Sequence, residues 1–150
     1  MQFTKAEEYG MFGVLYLADA DRSKVIPLSE ISQAENIPEK FLAKIFQSLS
    51  KAGIVRSHRG IRGGFTLAKS PDQITMKEVL ETIQGPYHLM KCTESISACD
   101  QGKDDFCALR EVLVIAEDKL VSVFEQFTLA DLAAWQATKT KPVKSAAINL

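Results

Sequence analysis

"PLSEISQAENIPEKFLAKIFQSLSKAGIVRSHRGIRGGFTLAK", residues 27–69, decides the fold. Pro27 suits the entry to a short helix carrying Leu28, Ile31 and Ala34, and "ENIPEK" stops it. Pro38 fits the first turn of the next helix, where its missing N–H would be unpaired anyway. Phe41, Leu42, Ile45, Phe46 and Leu49 then recur at helical spacing and make one apolar face. Lys40, Lys44, Gln47 and Lys51 lie off that face, and Gly53 ends the helix as a C-terminal glycine. Ile54 and Val55 start a strand, "RGIRGG" is a tip, and Phe65 to Leu67 return as a second strand. Helix, turn, basic helix and basic hairpin is the order of a winged helix-turn-helix. In that arrangement the second helix enters the major groove of a duplex and the hairpin lies alongside.

Charge supports the same reading. Net charge is only −1, but residues 40–69 hold Lys40, Lys44, Lys51, Arg56, Arg59, Arg62 and Lys69 and no acid. Thirty residues without a carboxylate suit a phosphate-facing surface. Gly60, Gly63 and Gly64 allow the hairpin tip positive φ and a close approach to a sugar–phosphate edge.

Outward from this stretch the chain is helical. Residues 5–20 read as a helix with Tyr9, Phe12, Leu15 and Tyr16 at 3.6-type spacing. Thr75 and Glu78 form a capping box for a helix through Val79, Leu80 and Ile83, closed by Gly85 and Pro86. From about Ala108 a long helix carries Leu109, Val112, Leu113, Ala116, Leu120, Val123 and Phe127 in a nearly heptadic repeat. Such a helix suits pairing with a copy of itself. Thr128 and Asp131 cap a last short helix to about Trp135. The expected class is mainly α with a small β-hairpin: a winged helix-turn-helix over 1–84, a cysteine-bearing loop over 85–107, a dimerisation helix and terminal helix over 108–136, and a disordered tail over 137–150.

With 150 residues and 46% hydrophobic content, one soluble domain with an appended element is expected. No apolar run of about 18 residues predicts a membrane span, and the acidic "MQFTKAEEYGMF" is unlike a secretory signal, so a cytoplasmic protein is expected. There thiols stay reduced, and Cys92, Cys99 and Cys107, spaced C-x6-C-x7-C, point to metal binding or redox activity rather than disulfides.

These pieces together resemble the Rrf2 family of bacterial transcription regulators. The resemblance runs over roughly residues 1–135, through "MQFTKAEEYGMFGVLYLA", the stretch quoted first, "ITMKEVLETIQG", the three cysteines and "FTLADL". Its most specific part is "L......L..AGIV.S.RG..GGF.LAK" from Leu42 to Lys69. It implies a homodimer that binds a palindromic operator in double-stranded DNA. Lys40, Phe41 and Lys44 would face the major groove; Ser57, Arg59 and Arg62 would serve the wing. Arg59 matches the family's minor-groove-reading position, and Arg62 is inferred from charge alone. Two-fold binding predicts half-sites roughly 34–36 Å apart.

In several branches of the family three cysteines hold an iron–sulfur cluster whose state controls operator binding. The resemblance therefore implies a [2Fe-2S] or [4Fe-4S] cluster on Cys92, Cys99 and Cys107, in a sensor of iron, nitric oxide or redox state. Two departures stand out. The cysteine spacing is longer than the C-x5-C-x5-C of the cluster-assembly regulators, and Arg110 stands where those regulators place a histidine ligand. A nitric-oxide-sensing branch uses an acid of the first helix of the other subunit, and the matching residue is Glu8. Glu7, His88, Asp104 and Asp105 are rivals. The alternative keeps the DNA binding but makes the cysteines a thiol switch or, with His88, a Cys3His zinc site. An enzyme with a cysteine nucleophile is not expected, since His58 and His88 lie in separate segments without a triad-like context.

Overall fold

Three helices open on the same device, a threonine whose hydroxyl accepts from an amide three residues on while the acid there accepts from the threonine amide. The pairs are Thr4 with Glu7, Thr75 with Glu78 and Thr128 with Asp131. The computed structural model describes residues 2–103 and 106–139. Its helices are α1 (Lys5–Asp19), α2 (Leu28–Ala34), α3 (Glu39–Lys51), α4 (Met76–Gln84), α5 (Lys91–Glu94), α6 (Ala108–Gln126) and α7 (Leu129–Thr138). Strands β1 (Val55–His58) and β2 (Gly64–Leu67) pair antiparallel, with Val55 opposite Leu67 and His58 opposite Gly64. The hairpin was expected to start at Ile54, which instead sits buried just before it. The last helix runs past Trp135 to Thr138, and the tail expected to be disordered lies, from residue 140 on, outside the described residues.

The turn between α2 and α3 is built by local hydrogen bonds. Asn36 takes a left-handed φ of 53°, the Ile37 amide donates to the Ser32 carbonyl at 2.9 Å, and the Ser32 hydroxyl donates to the Ile37 carbonyl at 2.6 Å. Ile37 is thereby buried between the two helices. In α3, Leu42, Ile45, Phe46 and Leu49 enter the core as expected, but Phe41 does not. It stays 47% exposed and meets Tyr9 edge-on at 5.8 Å.

The core face of α1 is Met11, Val14 and Leu17, while Phe12 is exposed and Tyr16 reaches outward to donate to Glu30 at 2.8 Å. Glycines explain the shift of phase. Gly10 lies directly against Ile83, and a Cβ on Gly13 would come within 2.6 Å of the Phe46 ring, so the crossings need hydrogen there. The wing is anchored at its base: Ile26 and Phe65 exchange backbone hydrogen bonds of 3.0 and 2.8 Å, and Phe65 packs edge-on against Phe46.

The C-terminal helices close on the same core. The Met76 amide donates to Phe127 O at 2.8 Å and the Leu129 amide to Ile74 O at 2.9 Å, which seats the α6–α7 corner on the start of α4. Phe124 and Leu129 join the core cluster, whereas Phe127 caps α6 rather than extending its repeat.

Candidate nucleic-acid interface and cysteine site

The basic surface is as free as its composition suggests. Lys40, Phe41 and Lys44 are exposed along the N-terminal half of α3; Ser57, Arg59 and Arg62 are exposed on the wing, with Ile61 fully exposed at its tip. Among the described residues, Lys40, Lys44, Arg59 and Arg62 have no carboxylate partner. Lys69 differs, lying 3.6 Å from Glu78. A cleft of about 450 Å³ separates α3 from the wing and is lined by Gln47, Ser50, Lys51, Ser57 and Phe65. His58 Nε2 and Thr66 Oγ1, 3.0 Å apart, tie the two strands together at the tip's base. Gly60, at φ 112°, makes the tip turn, and a side chain on Gly64 would run into the Ile26 carbonyl.

The cysteine segment starts from two buried acids. Tyr87 donates its hydroxyl to Glu7, the capping acid of α1, which is 2% exposed. Burial first, and then that hydrogen bond, push the Tyr87 phenol well above its ordinary pKa. Two residues on, the Leu89 amide and the Thr93 hydroxyl donate to Glu117, buried on α6, with His88 Nδ1 3.6 Å from its other oxygen. Burial alone pushes the Glu117 carboxyl up, but the bonds from Thr93, Leu89 and His88 outweigh it and hold it below its ordinary value.

Cys92 sits in α5, Cys99 ends the 3-10 turn at Ile96–Ala98, and Cys107 is the N-cap of α6; all three are free and partly buried. As a donor set they fit an iron–sulfur cluster in kind, being reduced thiols on one polar segment. Their placement within a single chain does not complete a site. Among the described residues no group of three His, Cys, Asp or Glu side chains converges closely enough for a metal ion. Glu8 is engaged with Lys5 at 2.7 Å on the α1 surface, Glu7 is held by Tyr87 and Thr4, and His88 faces Glu117. Asp104 and Asp105 lie outside the described residues. Arg110, at the position where a histidine ligand was sought, instead donates Nε–H to the Cys92 carbonyl at 2.9 Å.

Sequence reasoning missed three side chains that hold the cysteine segment. Glu7 was weighed only as a ligand, although Thr4-x-x-Glu7 repeats the pattern visible at Thr75 and Thr128. Glu117 sits in a helical repeat, where no local pattern announces partners 24 and 28 residues away. Arg110 was judged by what it cannot coordinate, which hid what it can donate.

The Rrf2 family model, described as an iron-dependent transcriptional regulator, matches residues 3–135. The HTH-type transcriptional regulator CymR of Bacillus subtilis is 30% identical over 135 residues, covering 90% of this chain and 91% of its own. The structure of CymR, the global cysteine regulator of B. subtilis, superposes with a TM-score of 0.75 at 29% identity, covering 90% of this chain and 98% of that one. T. potens IscR shares the fold, with a TM-score of 0.76 at 21% identity over 97% of this chain and 96% of its own. No described helix is long and apolar enough to cross a membrane. With its winged helix, unpaired basic surface and non-enzymatic relatives, the chain belongs to the Rrf2 family of DNA-binding transcription regulators.

Proposed function

We propose that two copies of this chain bind a palindromic DNA operator in the cytoplasm, and that Cys92, Cys99 and Cys107 hold an iron–sulfur cluster whose state controls that binding. The observation that carries the DNA part is the set of unpaired cations on α3 and the wing, on a surface without acids from residue 40 to residue 69. Lys40, Phe41 and Lys44 read the major groove from the start of α3. Ser57 and Arg62 hold the backbone, and Arg59 enters the minor groove, where a narrow groove concentrates negative potential. The exposed Leu109, Val112 and Ile115 of α6, at 58%, 62% and 60%, support a second copy as the partner that covers them.

The cluster would supply a redox- and ligand-sensitive centre on three thiolates, with Glu8 of the partner subunit as the nearest match for a fourth ligand. Protein purified without oxygen then shows sulfide-to-iron charge-transfer absorption, and Glu8→Ala alters its Mössbauer spectrum. Log affinity for operator DNA falls linearly with log salt, by about 0.9 per phosphate neutralised. A flat salt dependence would overturn the DNA-binding surface proposed here.

A second reading, a thiol switch in place of a cluster, is favoured by one specific observation: Arg110, at the position matched to a histidine ligand, is engaged with the Cys92 carbonyl. The likeness to a cysteine regulator that superposes over most of the chain points the same way. A colourless protein, zinc-loaded or metal-free, that still responds to thiol oxidation supports this reading against the cluster.

A further inference from the structure

The three cysteines are not held alike. Cys92 lies in a turn gripped from one helix by two side chains. Glu117, 7% exposed on α6, accepts from the Leu89 amide and the Thr93 hydroxyl, on either side of Cys92 in the chain. Two turns earlier on the same helix, Arg110 Nε donates to the Cys92 carbonyl at 2.9 Å while its Nη1 donates to Glu111 at 3.2 Å. Among the described residues, Cys99 and Cys107 have only local backbone bonds of 3.1–3.2 Å, from Cys99 N to Ile96 O, from Gly102 N to Cys99 O and from Glu111 N to Cys107 O. A guanidinium is always protonated and presents a rigid fork of donors, so it cannot be a ligand but can pin a carbonyl. A buried carboxylate that loses its donors leaves an unsatisfied charge, which makes its grip hard to release.

We infer that Glu117 and Arg110 are positioning residues for Cys92: through them α6 fixes the first sulfur of the segment. The inference rests on the reading of the cysteines as the sensing site. It assigns Arg110 a purpose at the position where a ligand was expected. It also couples the site to the rest of the protein, because Tyr87, which enters the same segment, is bonded to Glu7 on α1. Movement of the Cys92 turn therefore acts on the long helix and on the DNA-binding half together.

The test is site-resolved alkylation of the reduced, metal-free full-length chain with N-ethylmaleimide, each cysteine followed by peptide mass spectrometry. A half-buried thiol reacts through opening of its surroundings, so its rate reports the clamp. In the unmodified chain Cys92 reacts slowest. Glu117→Ala speeds Cys92 about tenfold, the worth of a lost hydrogen bond to a charged acceptor, and leaves Cys99 and Cys107 within about twofold. Glu117→Gln, which keeps an acceptor for Leu89 and Thr93, restores most of the protection. Arg110→Ala, at a side chain 24% exposed, removes one bond without opening the core and speeds Cys92 alone by about threefold. If Glu117→Ala does not fold, the Arg110→Ala result decides. An equal rise at all three cysteines, no rise at Cys92, or Cys92 reacting fastest in the unmodified chain overturns the inference. Anaerobic reconstitution of the same variants separates this from the cluster reading. A colourless unmodified protein refutes the cluster and leaves the alkylation result standing.

Discussion

The chain up to Gln84 and the long helix after Cys107 bury their apolar side chains to different extents. In the first region Ile31, Leu42, Phe46, Leu49, Ile74, Val79 and Leu80 are all 0% exposed, sealed by α1, α3, α4 and the wing. In the second, α6 runs for 19 residues and buries only Glu117 and Phe124. Its first turns point Leu109, Val112 and Ile115 outward. The first region completes its core within one chain. The second keeps one acid inside and turns Leu109, Val112 and Ile115 outward over its first half, while Leu120 and Phe124 further along pack against the same core. Under the proposed function the two regions therefore answer to different variables, one to intrinsic packing and the other to protein concentration.

Breaking the first region has the largest effect. Phe46→Ala removes the ring that packs on Gly13 and Phe65 and costs about 3–5 kcal/mol in urea unfolding, at any protein concentration. Val112→Asp leaves that core alone and weakens self-association roughly hundredfold, about 2.7 kcal/mol, in sedimentation equilibrium. A concentration-independent loss of stability in that variant would erase the contrast. Arg59→Ala touches neither core and lowers operator affinity by about 1 kcal/mol, with the salt slope reduced by about 1. Titration at two or more salt concentrations checks both numbers.

The smallest effect belongs to Glu117 and has a defined pH window. Its folded pKa is lowered, so its contribution is complete above its ordinary value of 4.5 and is lost as pH falls through the lower folded value. The stability gap between the unmodified chain and Glu117→Gln, read from urea midpoints, is present at neutral pH and closes in acid. A gap that persists unchanged in strong acid would show that packing, not the ionised carboxylate, is the source.

The winged helix was legible because its signals are local. Helical spacing placed Leu42, Ile45, Phe46 and Leu49 inside, and glycines bounded the hairpin. The errors came where a tertiary neighbour overrides the period. Phe41 fits the apolar face of α3 by spacing, yet it lies at the rim against Tyr9. Phe12 fits α1 by spacing, but Gly10 and Gly13 admit Ile83 and Phe46 and turn the helix so that Phe12 faces outward. The cysteine segment was legible as chemistry and illegible as geometry. Its anchors, Glu7, Arg110 and Glu117, lie 80, 18 and 24 or more residues from the atoms they hold, and side chains of their type are ordinarily solvated.

Glu117 also fixes the azimuth of α6. A near-heptadic stripe by itself tolerates sliding or turning against its surroundings, since one apolar contact replaces another at little cost. A buried acid does not. Rotating α6 by one residue, about 100°, would take the carboxylate away from the Leu89 amide and the Thr93 hydroxyl and leave a buried charge without these donors. The helix therefore presents Leu109, Val112 and Ile115 in one phase only. Two copies that pair through this helix inherit that phase, so the distance between their recognition helices is indexed by a carboxylate packed in the interior.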